Sequence, residues 1–424
     1  MGISSMTVRS FSGPAGCGKT FQLMCSLTAQ LNHQPLQDGQ RVLALTFMHG
    51  SRRRLDDRLA GVIGLNRRYE CSTLDSFAWR VVSRWRALIH YLGRELPEAG
   101  AYEQICGLAS ELVARDEVAR WVAGAFPVIV VDEAQDLTPS RLAILQSLAA
   151  HVELLVASDE FQCLVEELRP NLACEWLAAV GNEVTLDRPM RTNDRDLLAA
   201  ARAVRSGLAP RSSGQFKVVA TANAGLAGTW ISNAISWNRA GNRVAIITPT
   251  MGTFAHAVRE WVETRTTKKG NGPHRVILEQ SESVRSEAFI AELALPDHAS
   301  VIDALALMEG KPRGIVQDFI RWVDRQRRTK GRTTFSREEM EDAIRQTFSN
   351  QRRLAGNDGA GIRALTVHGA KNREFDLVLV LWPAAIGGDD TQKRRLLYNA
   401  ITRAKGQCLV LVQSARAMVA PPFA

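Results

Sequence analysis

A loop near the amino terminus carries the residue types that bind a polyphosphate. Residues 13–20 read Gly-Pro-Ala-Gly-Cys-Gly-Lys-Thr and match the pattern G-x-x-x-x-G-K-T. Glycines without a Cβ let backbone N–H groups close around phosphate oxygens, and the helix that follows presents its positive end. We expect Lys19 to reach the β- and γ-phosphates and Thr20 to ligate Mg²⁺. The predicted nucleotide contacts are Gly13, Gly16, Cys17, Gly18, Lys19, Thr20 and Phe21. The alternative is a loop of this form that has lost its nucleotide.

Two acids follow an apolar run at residues 128–131. In a phosphate-loop enzyme the first acid at such a strand end holds Mg²⁺, and a second can deprotonate the attacking water. Asp132 is therefore the predicted metal ligand and Glu133 the predicted base. The alternative is a polar strand end whose acids favour a helix dipole. Gln162, just past a further apolar run, is placed to contact the γ-phosphate or the water.

Two arginines are candidates for the charge that stabilises the transition state. A guanidinium supplied from outside the loop is worth roughly 10³ to 10⁵ in rate in known phosphate-loop systems. Arg191 and Arg403 could supply it, but the chain has 53 lysines and arginines, so position within a motif must decide.

Composition bounds the class of protein. A chain of 424 residues should form more than one domain. Its net charge of +9 suits a polyanionic partner, although many basic proteins bind none. Seven scattered cysteines without a C-x-x-C exclude a zinc ribbon and suggest reduced thiols in the cytoplasm. With no secretory signal and no run of 18 apolar residues, we expect no membrane contact.

The elements that must position these residues are apolar strands alternating with helices. This alternation predicts an α/β fold with parallel sheets covered on both faces, whose functional residues lie at the carboxyl ends of strands. Two stretches interrupt it, a helical one at 84–125 and a mixed one at 254–357. The predicted strands are 8–11, 41–47, 128–131, 154–157, 243–248, 376–381 and 408–412, and the predicted helices include 21–31, 141–150 and 194–206.

The ordered set of segments resembles the UvrD/Rep/PcrA type of superfamily 1 helicases over residues 8–412. The matching segments are 13–20, 44–47, 72–77, 132–136, 158–162, 186–192, 366–376 and 395–405. The resemblance implies two RecA-like parallel-sheet domains with inserted, mainly helical accessory subdomains. The first domain would comprise 1–85 and 125–205, with a small helical insertion at 86–124. The second would comprise 206–255 and 356–424, with a reduced, basic accessory insertion at 256–355.

The resemblance also implies roles for residues. ATP would lie between the two domains, with Arg403 reaching across from the second and Arg191 touching the γ-phosphate from the hinge side. Glu374 would contact the ribose. Family members step 3′ to 5′ on single-stranded DNA, and the implied DNA contacts are Thr46, Phe47, Ser72, Phe77 and His368.

Several nucleic-acid assignments have an alternative. Phe47 could stack on a base, worth about 1–3 kcal/mol, or belong to the core. Arg52, Arg53 and Arg54 could contact phosphates or form a solvated helix face. Residues 311–353 hold 12 Lys/Arg against 6 Asp/Glu, and could contact duplex DNA or form a disordered or partner-binding loop.

The chain departs from the family pattern at several positions. No glutamine that would recognise adenine precedes the first strand, and Met190 stands where a tyrosine often stacks on the base. Ser158 replaces a glycine, Asp75 a histidine, and Asn372-Arg373 a Gly-Leu pair. ATP is therefore expected, with other triphosphates left open.

Three functions follow from these patterns. The first is an ATP- and Mg²⁺-dependent 3′–5′ translocase and helicase on single-stranded DNA and duplex junctions. The second is an ATPase sensor or motor subunit that regulates a partner nuclease in DNA repair or phage defence. The third takes RNA as the substrate.

Overall fold

The computed structural model describes residues 8–47, 49–98, 101–180, 182–279, 282–354 and 361–424. It contains two six-stranded sheets whose paired strands all run parallel. Among these residues no helix is long and apolar enough to cross a membrane. The two α/β sheets confirm the predicted fold class. Residues 1–7 and 356–360, which fell within predicted domain bounds, lie outside the described residues.

The first sheet has the strand order 3-2-4-5-1-6, with elements numbered along the chain. Its strands are β1 (Val8–Ser12), β2 (Val42–Thr46), β3 (Tyr69–Thr73), β4 (Val128–Asp132), β5 (Glu153–Ser158) and β6 (Glu183–Thr185). Its helices are α1 (Lys19–His33), α2 (His49–Ala60), α3 (Leu74–Arg84), α4 (Arg86–Tyr91), α5 (Tyr102–Val113), α6 (Asp116–Ala125), α7 (Pro139–Leu148) and α8 (Leu172–Ala179).

Both faces of this sheet are buried, which explains its continuous apolar strands. Alternate residues of a strand point to opposite faces. In β2, Leu43 and Leu45 pack into a core with α3, α5, α6 and α7. Val42 and Ala44 pack into a second core with α1 and α2. A polar residue in the middle of β2 would therefore lie in one of the two cores, and the polar residue of this strand, Thr46, stands at its carboxyl end.

The second sheet has the strand order 7-14-13-8-12-9. Its strands are β7 (Phe216–Ala220), β8 (Arg243–Thr248), β9 (Val276–Leu278), β12 (Gly361–Thr366), β13 (Phe375–Trp382) and β14 (Ala404–Val412). Helices α9 (Arg195–Arg205), α16 (Val367–Ala370) and α17 (Asp390–Ile401) share one core, and α10 (Ala224–Ser236) and α11 (Thr253–Thr264) share the other.

Residues Glu279–Gly359 form a separate compact unit. It comprises α12 (Glu282–Leu293), β10 (His298–Ser300), α13 (Val301–Ala306), α14 (Arg313–Lys330), β11 (Thr334–Ser336) and α15 (Arg337–Leu354). Its strands pair antiparallel, and Phe319, Phe335 and Met340 are central to its core. The predicted basic stretch 311–353 is thus largely helical rather than a disordered loop.

The structure differs from three predicted bounds. The accessory unit begins after β9 rather than at 256, because Val276–Leu278 pairs with β12. Helix α9, assigned to the first domain, packs into the core of the second sheet. Helices α5 and α6 of the predicted insertion at 86–124 share a core with the first sheet.

All seven predicted strands are present, one of them with the predicted ends (243–248) and the other six with shifted ends. Five strands of the two sheets were missed, namely β3, β6, β7, β9 and β12. Their sequences explain this, because β6 and β9 have three residues each and β3 and β12 carry charged residues at Glu70 and Arg363.

Candidate nucleotide-binding site

The phosphate loop joins β1 to α1 and needs glycine at two positions for different reasons. Gly18 precedes α1 with φ 86°, a left-handed conformation that glycine adopts without strain. Gly13 has φ 148°, and a Cβ there would lie 2.1 Å from the carbonyl oxygen of Leu186. Gly16 accepts backbone hydrogen bonds from Met190 (2.7 Å) and Arg191 (3.1 Å). The segment after β6 therefore packs directly on the loop.

Lys19 lies inside this loop. Its Nζ donates to the carbonyl oxygens of Gly13 (2.8 Å) and Pro14 (3.2 Å), and it lies 3.7 Å from Oδ2 of Asp159. The lysine side chain is 10% exposed and that of Asp159 is 0% exposed. A buried ammonium held mainly by carbonyl oxygens fits a group that binds phosphate.

Thr20 and Asp132 form the predicted metal pair. The Thr20 hydroxyl donates to Oδ2 of Asp132 over 3.1 Å. Burial, reinforced by the charge of Glu133, raises the pKa of Asp132 to about 6. A hydroxyl beside a single carboxylate fits Mg²⁺, which takes one or two carboxylates together with substrate phosphates. These two residues would hold the ion.

Glu133 adopts a left-handed backbone conformation, with φ 63°. Its carboxylate accepts a hydrogen bond from the side-chain amide of Gln135. Burial alone would raise the pKa of Glu133, but the charges of Lys371 and Lys19 outweigh burial and lower it. Glu133 is therefore an ionised carboxylate, as a base must be.

Lys371 brings a charge from the second sheet to this acid cluster. It follows α16 and forms an ion pair with Asp136, and both side chains are at most 6% exposed. Because Lys371 also lowers the pKa of Glu133, one lysine connects the second sheet to two acids of the first.

Arg191 contacts residues of the second sheet. Its Nε donates to Glu374 and its Nη1 to the carbonyl oxygen of Thr402, each over 2.8 Å. Glu374 also pairs with Lys405 at 2.9 Å. Burial would raise the pKa of Glu374, but Arg191 and Lys405 lower it to about 2. Glu374, predicted to contact the ribose, is thus the counterion of the predicted finger.

Arg403 is buried, and its hydrogen bonds within the described part of the chain go to uncharged groups. It is 1% exposed, and its guanidinium donates to the carbonyl oxygen of Asn399 (3.0 Å) and the hydroxyl of Thr402 (3.3 Å). Among the described residues it forms no ion pair within 4 Å. Burial, then the like charge of Arg191, lowers its pKa to about 9. Such a guanidinium fits a site for an anion that the protein does not itself supply.

The remaining nucleotide predictions fall around the same edge. Gln162 is 4% exposed in a short helical turn after β5. Phe21 is 51% exposed on α1, and Met190 is 58% exposed with its sulfur 2.2 Å from a Cβ built at Gly18. Asn372 has φ 63°, a left-handed conformation that asparagine adopts more readily than most residues other than glycine.

Two of the predicted nucleic-acid contacts have accessible side chains. Phe47 follows β2, is half-buried, and its ring centroid lies 5.5 Å from the guanidinium carbon of Arg141. Arg141 is buried and held by Asp75, with contacts of 2.7 and 2.9 Å. His368 is exposed after β12. Asp75, which departs from the family pattern, therefore anchors the arginine beneath Phe47.

The structure corrects the prediction for Phe77. Its ring is 1% exposed and belongs to the core under the first sheet, so it cannot stack on a base. Thr46 and Ser72 are 1% and 9% exposed. Of the three consecutive arginines in α2, Arg52 is exposed, Arg54 has a partner, and the side chain of Arg53 lies outside the described residues.

Sequence reasoning missed three residues of the site: Lys371, Arg205 and Tyr398. Lys371 and Tyr398 stand within segments that carried the family resemblance, so a signal for them was present. Arg205 lies on α9 in no such segment, and only the packing of α9 on the second sheet reveals it.

A family model of the UvrD-like helicase C-terminal domain matches residues 361–411, and a model of an AAA domain matches residues 3–166. No curated protein matches the chain in sequence. The arterivirus helicase, nonstructural protein 10, is similar in structure, with 11% identity, a TM-score of 0.39 and coverage of 97% of this chain. The chain spans 61% of the length of that helicase.

Proposed function

Because the chain belongs to the UvrD-like superfamily 1 helicases, we propose that it is an ATP-driven motor that moves 3′ to 5′ along single-stranded DNA and separates duplex strands. The observation that carries this proposal is the meeting of charged groups from two sheets at one phosphate loop. Lys19 and Glu133 come from the first sheet, and Lys371 and Arg403 from the second. A motor needs this arrangement, because its nucleotide must be sensed by both domains.

The chain's own residues divide the work of hydrolysis. Lys19 binds the phosphates, and ionised Glu133 accepts a proton from the attacking water. Arg403 and Arg191 stabilise the charge that develops on the transferred phosphoryl group. Thr20 and Asp132 would hold Mg²⁺, which would supply positive charge to neutralise the phosphates.

Coupling to nucleic acid follows from where the accessible contacts lie. Phe47 follows a strand of the first sheet and His368 follows a strand of the second. A single strand of DNA bound at both positions would move past one of them whenever hydrolysis changes the contact between the two sheets. We assign ATP as the nucleotide, and the exposed Phe21 and Met190 flank the loop where a base would lie.

The test measures ATPase activity with and without single-stranded DNA or RNA, then strand displacement on duplexes with a 3′ or a 5′ tail. Stimulation by DNA and displacement from the 3′-tailed duplex are expected. If no nucleic acid stimulates hydrolysis, the motor proposal fails. Stimulation by RNA alone would reassign the substrate.

The small size of the accessory unit favours a second candidate function. Residues Glu279–Gly359 form one compact core around two long helices. A motor with so small an accessory unit could depend on a partner nuclease to separate strands. Stimulated ATPase without strand displacement by the isolated chain would support this candidate. Seven free cysteines among the described residues support a reducing, cytoplasmic location.

A further inference from the structure

A tyrosine on a helix that packs on the second sheet accepts a hydrogen bond from a backbone N–H of the phosphate loop. The backbone N–H of Ala15 donates to the hydroxyl of Tyr398 over 2.7 Å. Tyr398 lies on α17 and is 1% exposed. Phosphate loops bind their ligand through such backbone N–H groups. This donor therefore already has a protein partner.

Arg205 holds the same hydroxyl. Its Nη1 lies 2.7 Å from Oδ1 of Asp159 and 3.3 Å from the Tyr398 hydroxyl. The other carboxylate oxygen of Asp159 lies 3.7 Å from Nζ of Lys19. One buried carboxylate is thus placed between the loop lysine and the arginine that orients the tyrosine.

The tyrosine ring is fixed independently of its hydroxyl. It packs edge-on against Phe161 with ring centroids 5.1 Å apart, and the Arg205 guanidinium carbon lies 5.6 Å from the Tyr398 ring centroid. Removing the hydroxyl alone leaves these ring contacts in place. The hydroxyl's effect on the loop can therefore be separated from packing.

We propose that Tyr398 sets the affinity of the site for nucleotide, because its hydroxyl competes with the phosphate chain for the Ala15 N–H, and that Arg205 is a positioning residue that holds this hydroxyl in place. The proposal rests on the proposed function, since it requires the loop to bind nucleotide. A phosphate oxygen that takes the N–H displaces the hydroxyl, so part of the binding free energy is spent on breaking an existing hydrogen bond. Displacement of the hydroxyl would also free Tyr398, so phosphate binding would directly change a contact made by the helix that packs on the second sheet.

The test is equilibrium binding of a fluorescent ATP analogue and of ADP to the full chain. Tyr398→Phe is expected to bind at least one of them about 2- to 10-fold more tightly, the range of a net hydrogen bond converted to a dissociation constant. Tyr69→Phe is the matched control, because it removes the hydroxyl of a partly buried tyrosine in the first sheet that lies outside the site. Its affinity should equal that of the wild type.

A second variant tests the role of Arg205. It also keeps the proposal testable if the Tyr398→Phe protein does not fold. Arg205→Lys keeps a cation for Asp159 but replaces the planar guanidinium, whose Nη1 contacts both Asp159 and the Tyr398 hydroxyl, with a flexible ammonium. It should also tighten binding, and it should add nothing when combined with Tyr398→Phe. Unchanged or weaker binding by folded Tyr398→Phe would overturn the proposal, as would an additive effect of the two substitutions. A wild-type chain that binds no nucleotide would instead overturn the proposed function.

Discussion

The nucleotide site and the predicted nucleic-acid track both begin at the carboxyl ends of strands in the first sheet, yet their side chains are positioned by different forces. The track is the set of predicted DNA contacts, Thr46, Phe47, Ser72, Phe77 and His368. At the nucleotide site Asp136 is buried, Lys19 and Glu133 are half-buried, and each of the three ionisable groups is close to an opposite charge. Along the track Phe47 and Phe77 are apolar, and one is accessible while the other lies in the core. A buried charge must meet a partner at the sheet edge, whereas an aromatic ring can point either way.

The largest effect is expected when the buried guanidinium of Arg403 is removed. Arg403→Ala is expected to reduce kcat for ATP hydrolysis by about 10³-fold or more, because an arginine finger contributes roughly 10³ to 10⁵ in rate. Steady-state ATPase assays at saturating nucleic acid measure this. Arg416→Ala, an exposed arginine of the second sheet's domain, is the matched control. Turnover within about twofold of the wild type would show that Arg403 is not a finger.

Glu133 tests the acid side of the same site. Glu133→Gln should lower kcat by about 10² to 10⁴, because the amide cannot accept a proton from water. Nucleotide binding should persist, since Lys19 and Thr20 keep their positions. Glu117→Gln changes an exposed glutamate on α6 and controls for the loss of one negative charge. If binding and turnover fell together, Glu133 would act in binding rather than as the base.

The sequence predicts the charged residues of the nucleotide site better than it predicts the aromatic residues of the track. Lys19, Thr20 and Asp132 were assigned individually, because a phosphate loop and an acid after an apolar strand allow few arrangements. Phe77 was misassigned, since a motif position does not say on which face of α3 the ring lies. Tyr398 was overlooked although it lies in one of the matching segments, because nothing in that segment shows that its hydroxyl reaches the phosphate loop. Its role depends on packing between two segments separated by 383 positions.

Phe77 provides the largest stability effect along the track. Phe77→Ala should destabilise the protein by about 3–5 kcal/mol, because it leaves a cavity in a well-packed core. Denaturant titration measures this. The affinity of the remaining folded protein for single-stranded DNA should be unchanged. A stable Phe77→Ala protein that has lost DNA affinity would show that Phe77 contacts DNA, and the two phenylalanines would then not differ in role.

Phe47 should behave in the opposite way. Phe47→Ala should weaken single-stranded DNA binding by about 1–3 kcal/mol, the value of one base–aromatic stack. Its ring is only half-buried, so the free energy of unfolding should fall less than in Phe77→Ala. Fluorescence anisotropy with a labelled oligonucleotide measures the affinity, and Phe47→Tyr, which keeps an aromatic face, should restore it.

The smallest effect is expected where the two regions meet, at Asp75. This carboxylate holds buried Arg141, whose guanidinium faces the Phe47 ring. Asp75→Asn keeps an acceptor but removes the charge, and Glu103 still pairs with the arginine, so a loss of about 1–2 kcal/mol in stability is expected. DNA affinity should fall by less than in Phe47→Ala, because the ring remains and only its support is loosened. A drop as large as that of Phe47→Ala would mean that the track, like the nucleotide site, depends on a buried charge for its geometry.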